Sequence, residues 1–376
     1  MDAKRYLPIA ALIAAVIFIQ LLTAAFDAAY YLTQLTMAAY YSLVAVGLCV
    51  FMGYAGQISL GQAGFFAIGG YATATLTTVN LAEYRGTGAV ETLTRLKLLA
   101  AGQDLYGNET LAVAPWAAAL AAVLLTVLVA LLIGLPLLKL KGHYLAMATL
   151  GFGIIIYRTV LGTELFGEAD GITGVPGFPL FFGLEAGSDF DARVENYYLA
   201  WSLVAVGMVL IVNLIRSRAG RALRYLHGSE AAAEAMGIDT ARFKLAIFVL
   251  AAVYASTAGI FLTHYNAGIG PSEATVMKSV RYVAIVAVGG MANIWGALIM
   301  GTLLNFLSLR GIFGSYDDVV FGAILIGIMI FAPEGILKAP GVRDFLLETR
   351  KRLIRKFGRV PGKAGGSREG GRRGSS

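Results

Sequence analysis

Few side chains in this sequence are equipped for chemistry, and they are scattered. Cys49 stands alone inside an apolar run, and a single cysteine can form neither an internal disulfide nor a metal cluster. It reads as a small buried apolar residue. His143, His227 and His264 show no HExxH-like spacing, so no metal ligand set is expected. "YDD" at 316–318 sets Asp317 beside Asp318, and paired carboxylates can serve general acid–base catalysis. At the edge of an apolar run they read instead as solvated loop acids at an outer turn. No GxxxxGK[ST] cradle for phosphates is present, and no Ser/His/Asp or Cys/His set stands out. The expectation is a non-enzyme with no catalytic, metal or cofactor-binding residues.

The unusual residues are polar and uncharged. "GYAGQISLGQAGF" (53–65) interrupts two apolar runs with glycines, glutamines and a serine. In hydrocarbon, irregular backbone is tolerated only when buried in protein or lining a wet cavity. Gly53, Gly56, Gly61 and Gly64 permit turns and close helix approach, while Gln57, Ser59 and Gln62 offer hydrogen bonds to water, freed backbone or a solute. Two readings stand level on physics alone: a short cytoplasmic loop with small-residue packing, or part of a solute pathway. "VAVGGMANIWGALIMG" (286–301) is a second glycine-rich break, with Gly289, Gly290, Asn293 and Gly296 in corresponding parts. Paired interruptions in two halves of a transporter point to its translocation site. Gln57, Ser59, Gln62 and Asn293 are the pore candidates.

The elements that must position these breaks are membrane helices. The 376 residues are 58% hydrophobic and only 14% charged, against about half apolar and a quarter charged in a soluble domain. Apolar segments lie near 6–26, 30–52, 62–79, 113–138, 143–161, 197–215, 243–265, 279–290, 294–309 and 319–332. The run after Lys4 and Arg5 exceeds the apolar region of a signal peptide and reads as an uncleaved first span. Lys4, Arg5, Lys139, Lys141, the basic 216–242 loop and the basic tail mark the inner side. Both termini are then cytoplasmic and the span count is even, about ten, which makes "VGGMANIW" (288–295) an inner turn. The fold class is an all-α polytopic membrane protein. It divides into a first helix (1–29), a main body (30–337) and a basic tail (338–376) with a disordered end. The net charge of +7 lies largely in that tail and implies no nucleic acid.

Outer loops are expected at 80–112 and 163–196. The second carries Glu164, Glu168, Asp170, Glu185, Asp189, Asp191 and Glu195 against Arg193. It reads as a solvated face or as a docking surface for an external partner. Ionisable groups near the spans are few, with Asp27, Arg158 and His264 near the ends. A passage with little fixed charge and no nucleotide motif suggests energy supplied by a partner. The longest inner loop offers a place to receive it. In "SEAAAEAMG", Ser229 suits an N-cap, Glu230 the first turn, the alanines a helix and Gly237 its end. Asp239 or Thr240 can cap the next span.

"EAAAEAMGI" resembles the coupling loop of ABC-importer permeases, and the wider chain resembles the LivM-type permeases of branched-chain amino acid importers. "GYAGQISLGQAGFFAIGGYATA", "LKLKGHYLAMATLGFG", "ADGITGVPGFP", "EAAAEAMGIDTARFKLAIFV", "VAIVAVGGMANIWGALIMGTLL" and "FGAILIGIMIFAPEGI" appear in the family's order over about residues 30–337. The 80–112 loop looks longer than the family's, and Met291 and Ala292 stand where small residues are common. The resemblance implies an ABC-importer permease fold with two pseudo-related halves. It also implies a LivH-like permease partner, two ABC ATPase subunits and a solute-binding protein. It marks Glu230, Ala231, Ala232 and Gly237 as the ATPase-coupling motif, with Arg221 and Arg224 as flanking contacts. The implied cargo is branched-chain or other hydrophobic amino acids. Urea or short amides are the alternative within the family, and a self-powered carrier or channel is the alternative of another class.

Overall fold

The computed structural model describes residues 6–82, 94, 98–103, 109–140, 142–180, 185–189, 191–312 and 314–331. Lys4, Arg5, Lys141, most of the 80–112 loop and the 338–376 tail lie outside the described residues. The helices are α1 (Leu7–Ala25), α2 (Tyr30–Ala55), α3 (Gln62–Thr78), α4 (Pro115–Leu137), α5 (His143–Leu161) and α6 (Arg193–Arg216). They continue as α7 (Arg218–Gly228), α8 (Glu230–Ala235), α9 (Thr240–Tyr265), α10 (Val276–Gly289), α11 (Ile294–Leu309) and α12 (Asp317–Phe331). Among the described residues six helices (α1, α2, α4, α5, α6 and α9) are long and apolar enough to cross a membrane. α3, α10, α11 and α12 are shorter, at 17, 14, 16 and 15 residues.

The fold is mostly helical rather than purely α. Leu99–Gln103 pairs antiparallel with Glu109–Val113, Ile172–Thr173 with Gly268–Ile269, and Phe178–Pro179 with Glu185–Ala186. These ladders lie in connections, where backbone freed from helices must find partners. The pairing of 172–173 with 268–269 ties two loops that are distant in sequence.

α2 is the central post. Of its most apolar stretch 94% is buried, against 17% for α1, which packs on α6 at the periphery. Alanines and Gly47 let α6, α9 and α11 approach α2 closely. α9 lies against α3 so tightly that a Cβ on Gly259 would fall 2.1 Å from the Phe66 carbonyl oxygen. The core is lined by large rings, with Phe65 between Phe152 and Phe248 at centroid distances of 4.8 and 5.5 Å. One end of the molecule gathers the ends of α2 and α10 with α7 and α8. The opposite end gathers the described parts of the 163–192 loop, the 266–275 segment and the start of α2.

Candidate functional site

The two glycine-rich breaks form one junction. α2 ends at Ala55, and Gly56 turns the chain with φ +66°. One turn earlier, a Cβ on Gly53 would lie 1.6 Å from the Met291 carbonyl oxygen, so only glycine allows the backbones to touch. The Cys49 thiol donates to the same oxygen at 3.3 Å, and the Tyr54 hydroxyl to the Ala292 carbonyl at 3.2 Å. Here Met291 and Ala292 pack through their carbonyls while their side chains point outward, exposed. α10 and α11 meet as closely, because a Cβ on Gly296 would fall 1.9 Å from the Gly289 carbonyl oxygen. The 288–295 stretch is therefore a tight turn between two helices. It lies at the end of the molecule that carries α7 and α8.

The pore candidates have distinct places. Asn293 is half-buried and caps α11, accepting from the Gly296 N–H at 3.1 Å. Gln57 is half-buried beside the turn. Ser59 is buried and accepts from the Gly61 N–H at 3.4 Å. Gln62, the first residue of α3, is fully buried, and neither its Oε1 nor its Nε2 has a partner. The free N–H groups at this helix start are met from other elements. Thr149 on α5 accepts from Leu60 at 3.0 Å, and Ser279 on α10 accepts from Ala63 at 3.1 Å. The break, α5 and α10 thus converge where α3 begins.

The junction touches the loop that follows α6. Ser217 caps α7 by accepting from the Gly220 N–H, and His227 on α7 lies against Gly56. Ser229 caps α8 by accepting from Ala232 at 3.3 Å. α8 closes in a Schellman motif: Ile238 N–H bonds the Ala233 carbonyl at 3.0 Å, Gly237 N–H bonds Glu234 at 2.9 Å, and Gly237 has φ +78°. Asp239 caps α9 by accepting from Arg242 at 3.1 Å. Local chemistry dictates this geometry, as the sequence indicates.

The side chains of α8 split by face. Ala233 is buried, while Ala231, Ala232, Ala235, Met236 and Gly237 are exposed. Both acids turn back into the protein. Glu230 pairs with Lys244 of α9, whose side chain is 3% exposed, and Glu234 accepts from Thr240 at 2.8 Å. Arg224 donates to the Ile215 carbonyl at 2.9 Å, whereas Arg221 faces solvent. Glu230 is thus a strut between α8 and α9, and the free face belongs to its neighbours.

Two ion pairs involve residues that the sequence does not single out as charged pairs. Glu273, in a 3-10 turn at Pro271–Ala274, accepts from the Tyr41 hydroxyl at 2.9 Å and from Lys278 at 2.9 Å. Lys278 also lies 4.4 Å from the Tyr41 ring centroid. Arg281, within α10, donates to Asp318 at 3.0 Å and to Ser308 at 3.1 Å, and stands 3.8 Å from Asp317. Asp317 also accepts from Ser308. "YDD" is therefore no free loop pair: its acids neutralise a mostly buried arginine, because a cation in an apolar helix must find a counter-charge. The signal was "MKSVRYVAIVAVGG", whose two cations in a short apolar helix demand acids elsewhere.

At the opposite end, Glu164, Glu168, Asp170, Glu185, Asp189, Asp191 and Glu195 are all exposed. His264 is fully buried and bonds the Pro176 carbonyl at 2.7 Å and Thr73 at 3.1 Å. It fastens the acidic loop to α9 and α3.

The family described as "Branched-chain amino acid transport system / permease component" matches residues 30–329. The high-affinity branched-chain amino acid transport system permease protein LivM of Escherichia coli K12 is 30% identical over 324 residues, covering 80% of this chain and 68% of that protein. The Salmonella typhimurium LivM is 29% identical, covering 87% and 72%. The corresponding LivH of Salmonella typhimurium is 26% identical, covering 83% and 97%. No solved structure matches the chain.

Proposed function

The chain belongs to the family of permease components of branched-chain amino acid transport systems, and from that premise we propose that it forms half of a solute pathway driven by partner ATPases. The cargo is a branched-chain or other hydrophobic amino acid. The second half is a LivH-like permease, two ABC ATPase subunits dock at the α7–α8 end, and a solute-binding protein delivers at the acidic end. The exposed loop acids support that last assignment.

The observation that carries the reading is the construction of α8. It is short, capped at both ends, open on the face of Ala231, Ala232 and Gly237, and pinned by Glu230 to Lys244. A push on that face has no slack to take up before it reaches α9. α7 bears on Gly56 through His227, so the same push reaches the junction where Gln57, Ser59, Gln62 and Asn293 sit. Arg221 and Arg224 flank the docking face. Ten crossings in two related halves, with residues 30–337 as the permease unit and 1–29 as an added helix, fit the alternation of helix ends. The α7–α8 end and both termini are then cytoplasmic, in a bacterial or archaeal inner membrane.

The test is uptake of labelled leucine and labelled urea in proteoliposomes holding the chain with its co-encoded partners, with and without ATP. ATP-dependent leucine uptake is expected. ATP-dependent urea uptake replaces the cargo and keeps the mechanism. Uptake without ATP overturns the coupling reading in favour of a self-powered carrier or channel.

A further inference from the structure

Glu273 uses only half of its carboxylate. Oε1 takes both Tyr41 and Lys278, while Oε2 is buried and has no partner. Two more polar atoms nearby share that condition. The hydroxyls of Tyr71 on α3 and Tyr282 on α10 are buried and unpartnered, in residues 2% and 1% exposed. Tyr282 stands 6.4 Å from Tyr41, ring to ring, and Tyr71 shares a packed cluster with Ala274, the neighbour of Glu273. A buried polar group without a partner is costly, and a carboxylate oxygen and two hydroxyls in one neighbourhood, all unpartnered, call for a common explanation.

We propose that Glu273 Oε2 and the hydroxyl oxygens of Tyr71 and Tyr282 form an acceptor site for the primary ammonium group of the solute. The inference rests on the reading that this chain forms a solute pathway. An ammonium carries three N–H donors and no acceptor, and the site offers three unused oxygens. Lys278 spends two of its three donors on Glu273 and Tyr41 and keeps the third, so the neutral Glu273–Lys278 pair suits a zwitterion better than a bare cation. The side chains of Glu273 and Lys278 are 17% and 20% exposed, while the three oxygens themselves are buried, so the ammonium reaches them only as the surrounding helices shift. The site is carried by α2, α3, α10 and the turn before it. It can therefore open or close as those helices shift.

The test uses the permease–ATPase complex without binding protein, so that the solute can act only there. Leucine and isoamylamine, which carry the ammonium, are expected to raise its Tm, while isocaproate, which lacks it, is not. Glu273→Gln should abolish the rise. Because that variant also strips Lys278 of its counter-ion, the deciding variant is Tyr71→Phe/Tyr282→Phe. Removing unpartnered buried hydroxyls leaves the unliganded complex at least as stable as the wild type. The variant should nevertheless lose the ligand-induced rise and lower ATP-driven leucine uptake by about tenfold. An equal rise with isocaproate, no rise with any ligand, or uptake within about twofold of wild type in the double variant overturns the site. Wild-type complex that takes up no leucine at all instead overturns the cargo reading, and the Tm comparison still judges the ammonium site.

Discussion

The junction of the two breaks and the α7–α8 loop both depend on glycine, for opposite reasons. At the junction Gly53, Gly289 and Gly296 are places where backbone meets backbone and no Cβ fits. In the loop Gly237 has open space around it and is required by its left-handed conformation. One region is defined by what packs on it from about 240 residues away, the other by hydrogen bonds within a dozen residues. The contrast separates a seam that must not spread from a handle whose shape is set locally and whose outer face stays free.

Substitution at Gly53 should sharpen that contrast most. Gly53→Ala drives a methyl into the Met291 carbonyl and should cost about 3 kcal/mol or more, read as a collapse of Tm in detergent. A stability loss below that of Gly237→Ala would break the distinction. Next comes the strut. Glu230→Ala strands Lys244, 3% exposed, and should cost about 2 kcal/mol, with Glu230→Ala/Lys244→Met recovering part of it in a double-mutant cycle. Additive single effects would mean that the pair does not hold α8 to α9. Gly237→Ala should cost about 1 kcal/mol through backbone strain alone, and Gly237→Asn less, measured by the same unfolding. Met236→Asp, at a site 82% exposed, should change stability by no more than about 0.5 kcal/mol while impairing ATP-driven uptake. Unchanged uptake there would detach the exposed face from coupling.

The same contrast explains what was legible in the sequence. Ser229, Gly237 and Asp239 announce the handle because capping chemistry acts within a few residues. The bounds of α5 and α11 are legible too, since apolar runs there end at glycine and asparagine turns. The breaks were visible as breaks, but their mutual contact was not, because nothing local in "GYAG" or "GGMAN" says that each is the other's partner. Asn293 is a pore candidate by residue type, and in the fold its side chain also caps α11. In sequence Asp317 and Asp318 read as solvated because adjacent acids usually are, and only folding brings Arg281 to them. Glu273 and Lys278 fall between the apolar runs at 243–265 and 279–290, and only folding brings Tyr41, more than 230 residues away, to them.

α9 is anchored at both ends. It starts at the Asp239 cap and the Glu230–Lys244 pair, and near its far end His264 grips the Pro176 carbonyl. Its 26 residues make a rod of about 39 Å with few ways to bend. Free-energy linkage then runs in both directions along it. Whatever binds the acidic loop and favours one setting of the rod must alter the affinity of whatever binds α8, by the same factor as the reverse. Binding at one face and binding at the other would then be two readings of a single equilibrium.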